Sequence, residues 1–248
     1  MRLVLLVTFV VFAFSASVPS YASTIPVFGT GLDTSGQFLP NGTQDPHYTL
    51  VVNSLGNGSN TYVPGGANTV EATTQAVPPG WPMINGVWVT DPSAQWIAPQ
   101  TDVVAIPGVG MDTLFTYQTT FDLTGFGLST VDLSGHWTGD NYISQVSLNG
   151  VPIYTASGCG SPGNYVFQST TPFNISSGFV PGVNTLSFNV INSACFNDPP
   201  RTNPTGLLVD IAGTGDLVSA VPEPGAFLPA GVGLLFALNM YRRRRKTA

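Results

Sequence analysis

Residues 113–123 read TLFTYQTTFDL and residues 183–192 read VNTLSFNVIN. Both alternate with a period of two. In the first, Leu114, Thr116, Gln118 and Thr120 share one face, and Phe115, Tyr117, Thr119 and Phe121 share the other. In the second, Val183, Thr185, Ser187 and Asn189 oppose Asn184, Leu186, Phe188 and Val190. Successive side chains of a strand point to opposite faces, so the pattern predicts two strands with one face in a core. Between them, YISQVSL leads into Asn149-Gly150, a strong short-range hairpin signal, and VPIYT returns. Further short strands are expected at residues 48–52, 87–90, 95–98, 131–137 and 206–213, with an irregular start over 23–47. No segment between the chain ends holds a 3.6-residue period over ten residues. The fold class expected is all-β, a single antiparallel β-sandwich of many short strands and frequent turns.

Both ends are set apart from that domain. Arg2 precedes the apolar run 3–14, and a polar stretch follows, ending in Ser20-Tyr21-Ala22. This is the order of a secretory signal peptide, with cleavage expected after Ala22. The C-terminal run 226–241 carries no charge and is followed by Arg242, Arg243, Arg244, Arg245 and Lys246. As a helix it covers about 24 Å, slightly short of a hydrocarbon core of about 30 Å, and snorkelling arginines extend its reach. It is expected to be a transmembrane helix with its basic end cytoplasmic, by the positive-inside rule. The division is therefore a signal peptide at 1–22, an ectodomain at 23–220 and a sorting segment at 221–248.

The tail resembles a PEP-CTERM sorting signal. Val221, Pro222, Glu223 and Pro224 match the motif, 226–241 the transmembrane part, and Arg242 to Lys246 the basic stop-transfer end. The resemblance implies export by the Sec machinery, transient anchoring in the inner membrane and processing by an exosortase near the Pro-Glu-Pro. It places the mature protein at the cell surface or in the extracellular matrix of a Gram-negative bacterium. It also implies a structural or adhesive role linked to exopolysaccharide.

A second resemblance covers roughly residues 96–213. Asp140-Asn141, Leu148-Asn149-Gly150, Phe173-Asn174-Ile175, Gly182-Val183-Asn184-Thr185-Leu186 and Pro204-Thr205-Gly206-Leu207 follow the order of the galactose-binding-like jelly roll, as in the sugar-binding domain of family-two glycosidases. It implies a jelly-roll form of the sandwich. Many copies in that superfamily are structural and bind nothing, so a carbohydrate-binding module is the alternative reading and a glycoside hydrolase a more distant one.

Charge narrows the partners. Of seven basic residues, Arg2 and the five of the tail lie in the targeting segments, which leaves only Arg201 in the ectodomain. Twelve of the thirteen acidic residues lie there too. Phosphate binding needs Lys and Arg, so no nucleic-acid partner is expected. The two cysteines, Cys159 and Cys195, predict one disulfide in an exported chain, with loop-closure stabilisation of about 4 kcal/mol.

Catalytic constellations are not evident, and no catalytic residue is assigned. Asp33, Asp45, Asp91 and Asp198 sit in turn-like strings and are expected to cap turns. Asp140 is expected to tie the turn before the Asn-Gly strand. His47 lies near Asp45 and His136 near Asp140, but neither has a zinc-motif spacing, and His136 is expected to pack beside Trp137. Hard oxygen ligands near turns could hold a structural Ca2+, although no D-x-D-x-D-G loop assigns its ligands and the metal residues stay unknown. Trp81, in a Pro-rich loop, is the best candidate for a carbohydrate contact, with plain loop packing the favoured alternative, whereas Trp88 and Trp96 are expected in the core.

Overall fold

A computed structural model describes residues 22–56, 58–63, 88–101, 112–161, 164–193 and 204–218. Its strands in chain order are β1 (Ala22–Thr24), β2 (Gln44–Asn53), β3 (Asn60–Tyr62), β4 (Thr113–Asp122), β5 (Asp132–Asp140), β6 (Tyr142–Leu148), β7 (Val151–Thr155), β8 (Gly160–Ser161), β9 (Asn164–Tyr165), β10 (Thr171–Ile175), β11 (Val183–Asn192) and β12 (Gly206–Asp216). They form a four-stranded sheet, β1-β12-β5-β10, and a six-stranded sheet, β3-β2-β4-β11-β6-β7. β8 and β9 make a separate two-stranded ladder, and every pairing is antiparallel. Two antiparallel sheets packed as a sandwich agree with the all-β expectation.

The alternating segments pair with each other. β4 and β11 run in register from Thr113↔Asn192 to Asp122↔Val183. Phe115 lies opposite Val190, Tyr117 opposite Phe188, and Thr119 opposite Leu186. All six are buried, on the faces that the period-two pattern assigns to the core. Shifting either strand by one residue would turn this row to solvent, so the apolar pattern itself fixes the register. Leu133, Trp137, Leu207, Val209 and Ile211 of the smaller sheet join the same core cluster. Each fully buried Leu, Val or Phe side chain contributes roughly 1.5–3 kcal/mol by area.

Asn149-Gly150 does form the β6–β7 turn, with φ of 51° and 79° at its two residues. Positive φ at both central positions matches the twist of a two-residue hairpin, and only Gly and Asn adopt it readily. Asn149 also reaches sideways. Its Nδ2 donates to Asn184 Oδ1 (2.8 Å), and its Oδ1 accepts from the Thr185 amide (2.9 Å). Asn184 is fully buried; its Nδ2 donates to the Val180 and Gly182 carbonyls, and its Oδ1 accepts from the Val180 amide. The Asn of the Gly-x-Asn stretch thus supplies polar partners to a loop closed over the core.

Three expectations change. The first strand is β1, not residues 48–52, because Ala22, Ser23 and Thr24 pair with Asp216, Gly215 and Thr214. The strand expected at 48–52 is longer and opens at Gln44. Residues 88–98 form no strand beyond single bridges, Ile97 to Leu207 and Ala98 to Tyr62. Their apolar side chains serve a different purpose. Trp88, Ala94, Trp96, Ala98, Phe167 and Leu208 make a second cluster. Leu207 and Val209 belong to the main core while Leu208 between them belongs to the second, so β12 is buried on both faces at its start. That accounts for the unbroken apolar run GLLV at its start.

Among the described residues no helix is long and apolar enough to cross a membrane. The expected signal peptide through Tyr21 and the expected sorting segment from Val221 lie outside them.

Replacing Asn184 by Ala removes four hydrogen bonds, strands the Val180 amide and takes one of the partners of Asn149. We expect a loss of about 2–4 kcal/mol in urea unfolding, with the m-value unchanged. A loss within about 0.5 kcal/mol, the range of an ordinary surface change, would show that the loop is held by other means.

Candidate functional site

The alternation of β5 sends Leu133 and Trp137 into the main core and His136, Thr138 and Asp140 to the opposite face of the sheet. Each of these three polar side chains is bound by a covering loop. His136 Nε2 contacts Asp91 Oδ2. Thr138 Oγ1 donates to the Val166 carbonyl (2.9 Å). Asp140 Oδ2 accepts from Trp88 Nε1 (2.8 Å). Asp91 and Trp88 belong to one loop, which therefore has two side-chain attachments four residues apart on the same face of one strand. The Trp88 ring stacks on Trp96 at 4.3 Å, and Trp96 Nε1 donates to the Val89 carbonyl (2.8 Å). The Val89 amide in turn donates to the Phe167 carbonyl.

His136 has a second acidic neighbour. Asp210 is its register partner on β12, and Asp210 Oδ2 lies 3.8 Å from His136 Nδ1. The two strands approach closely here, since a Cβ at Gly135 would sit 2.0 Å from the Asp210 carbonyl oxygen. Only glycine fits. Asp91 divides its carboxylate, with Oδ1 accepting from the Ser93 amide (2.7 Å) and Oδ2 facing His136. One ligand atom from each of Asp91, His136 and Asp210 lies within 4.8 Å of the other two, a group with the donor types and span of a metal site. The side chain of Asp91 is 5 % exposed, while those of His136 and Asp210 are about a third exposed. Burial, and then the Asp91 charge, raise the Asp210 carboxyl above its ordinary range.

Asp140 is a different kind of acid. It is fully buried, and burial pushes its carboxyl up to about 8, against the lowering effect of the Trp88 hydrogen bond. Its Oδ1 has no hydrogen-bond partner among the described residues. The Thr205 hydroxyl donates to its backbone carbonyl. These contacts differ from the expected role of tying the turn before β6. Asp140 anchors the Trp88 loop and the start of β12 instead.

The expected turn caps Asp33, Asp45 and Asp91 do accept backbone amides. Asp33 takes those of Ser35 and Gln37, and Asp45 those of Gly31, His47 and Tyr48. Asp45 is buried, which raises its carboxyl despite those donors. His47 does not join a site with it; the imidazole stacks on Phe28 at 3.9 Å. His136 does not pack beside Trp137, because adjacent residues of a strand face opposite ways. Its partner among the acids is Asp91 rather than Asp140.

A cleft of about 400 Å³ opens between the edge strands β7 and β10, lined by Trp137, Ile153, Tyr154, Phe173, Asn174 and the loop after Ile175. Phe173 stacks on Trp137 at 4.3 Å, and Tyr154 meets the same indole edge-on. No sequence signal singled it out, since its walls come from both sheets. Trp81, Asp198, Cys195, Val221 to Pro224 and Arg242 to Lys246 lie outside the described residues. Cys159 is buried and is not a free thiol.

Comparison with protein-family models, with curated proteins and with solved structures finds no match.

The raised acids fix the sign of the pH dependence. Between its ordinary 3.8 and about 8, Asp140 keeps its proton in the folded chain and loses it in the unfolded one. Stability therefore falls as pH rises through that window and levels off above it. Asp45 and Asp210 act in the same direction. Asp33 and Asp122, held low by their turn hydrogen bonds, titrate below it. We expect a higher Tm at about pH 5 than at about pH 8.5, and a flatter profile in Asp140→Asn. A Tm that climbs with pH across this range would contradict the assignment.

Proposed function

We propose that the chain is an exported, exosortase-processed protein of the bacterial surface or extracellular matrix, with a structural or adhesive role linked to exopolysaccharide. One observation carries the reading: the order of Val221-Pro222-Glu223-Pro224, an uncharged apolar run and a block of five basic residues at the end of the chain. The run 226–241 would be the transmembrane helix. Pro fixes φ and disfavours helix before it, so the Pro-Glu-Pro suits an extended segment presented to a processing enzyme. The ectodomain is rich in Asn, Ser, Thr and Gly and nearly devoid of basic residues, so the apolar run of the tail is the segment suited to lipid. A jelly-roll, galactose-binding-like form of the sandwich is supported by the roles of Asn149 and Asn184, which fall within the stretches that carry that resemblance. A Cys159–Cys195 disulfide is supported by the two-cysteine count and by Cys159 not being free.

A carbohydrate-binding module is the second reading, and the β7–β10 cleft favours it. Tyr154 and Phe173 offer partly exposed aromatic surface, and Asn174, Ser176 and Ser177 place polar atoms beside them. That is the mixture of apolar platform and hydrogen-bonding rim that a sugar ring needs.

Mass spectrometry of the protein from an exosortase-positive host is expected to show a new C-terminus near residues 222–225, no basic block, and no free thiol before reduction. Recovery of the chain through Ala248, unchanged when exosortase is deleted, would leave only an ordinary tail anchor. Retardation in gels containing exopolysaccharide, lost in Phe173→Ala, would favour the binding-module reading over a purely structural one.

A further inference from the structure

We propose that Asp91, His136 and Asp210 form a binding site for a divalent first-row transition ion of the zinc type, on the outer face of the four-stranded sheet. The donor set is one imidazole and two carboxylates, drawn from a loop, from β5 and from β12. Imidazole suits zinc, copper and nickel, whereas an all-oxygen set would suit calcium.

Charge is the first argument. Among the described residues there is no Lys and no Arg, so none of these residues brings a permanent positive charge to the two carboxylates that converge on His136. Asp91 is nearly buried and commits Oδ2 to the imidazole. A divalent ion would balance both carboxylates at once and accept the neutral ring nitrogen as a third ligand.

Rigidity is the second. His136 and Asp210 are direct partners in the β5–β12 ladder, at the place where Gly135 lets the strands close up. The Asp91 loop is fastened by the Trp88–Trp96 stack, by the Trp88 bond to Asp140 and by the Ser93 amide. Ligands of a tetrahedral zinc-type ion stand about 3.3 Å apart, so the ion enters as Asp91 parts from the ring and Asp210, 3.8 Å from Nδ1, makes a small closing movement. Asp210, about a third exposed, has the freedom to make it. Three protein ligands leave a coordination position open to water or to an oxygen of another molecule.

The test is Zn2+ alone, titrated by calorimetry and by thermal melting into the purified protein prepared without a polyhistidine tag. One ion per chain and a raised Tm reversed by chelator are expected. His136→Ala and, separately, Asp210→Asn should weaken binding by at least the about tenfold that loss of an outer-shell partner costs. Asp210→Asn is the milder change, because its side chain is partly exposed and isosteric with the original. His47→Gln should leave binding intact. No Zn2+ binding by the unsubstituted protein would overturn the proposal. So would equal binding in His136→Ala and Asp210→Asn, or an equal response to Ca2+ at the same concentration.

Discussion

The structure depends on how the outer face of the four-stranded sheet is covered. A sheet that packs one face on a partner can leave the other to water, but here the start of β12 is apolar on both sides. The covering is made by a loop with little regular structure, and such a loop carries backbone groups that need partners. Trp88 and Trp96 supply its apolar weight, while His136, Thr138 and Asp140 supply polar attachment points along β5. Removing either part would leave the other unsupported. Bare indoles would lie on a polar row, or buried polar groups would lose their partners at a cost of about 1–3 kcal/mol each.

The main core is simpler. β4 and β11 form its centre by long, unbroken pairing, and their apolar faces meet the inner row of the smaller sheet. Asn149 and Asn184 close its lower loops with side-chain hydrogen bonds that stand in for missing ladder bonds. The two halves of the molecule thus use opposite means. One relies on register and area, the other on a few directional contacts made by a loop.

This difference explains what could be read from the sequence. The strands of the main core announce themselves, because period two survives in Thr113–Asp122 and Val183–Asn192 and because Asn149-Gly150 specifies its turn. The covering loop reads as two strands in the sequence and forms only single bridges in the structure. Trp88, Val89, Trp96 and Ile97 have strand-like composition, and composition cannot distinguish a side chain within a sheet from one laid on top of it. The triad was not legible for a related reason. Asp91, His136 and Asp210 are separated by 45 and 74 residues, and only the β5–β12 register and the loop bring them together. Asp91 carried half of its meaning locally, as a turn cap through Oδ1; the other oxygen belongs to the tertiary structure.

The place of β12 has a consequence for the order of assembly. It is the last strand of the domain, yet it lies between β1 and β5, and its partners Ala22 to Thr24 are the first residues described. A chain emerging N-terminus first, from a ribosome or through a membrane pore, cannot complete the four-stranded sheet until residue 216 is out. Until then β1 has no neighbour and β5 shows a bare edge. The six-stranded sheet, whose final strand in sequence is β11, can close earlier. Pairings between the chain ends come late because their loop-closure entropy is rewarded only once both ends are present. The sandwich therefore closes only when residues 206–216 slot between β1 and β5.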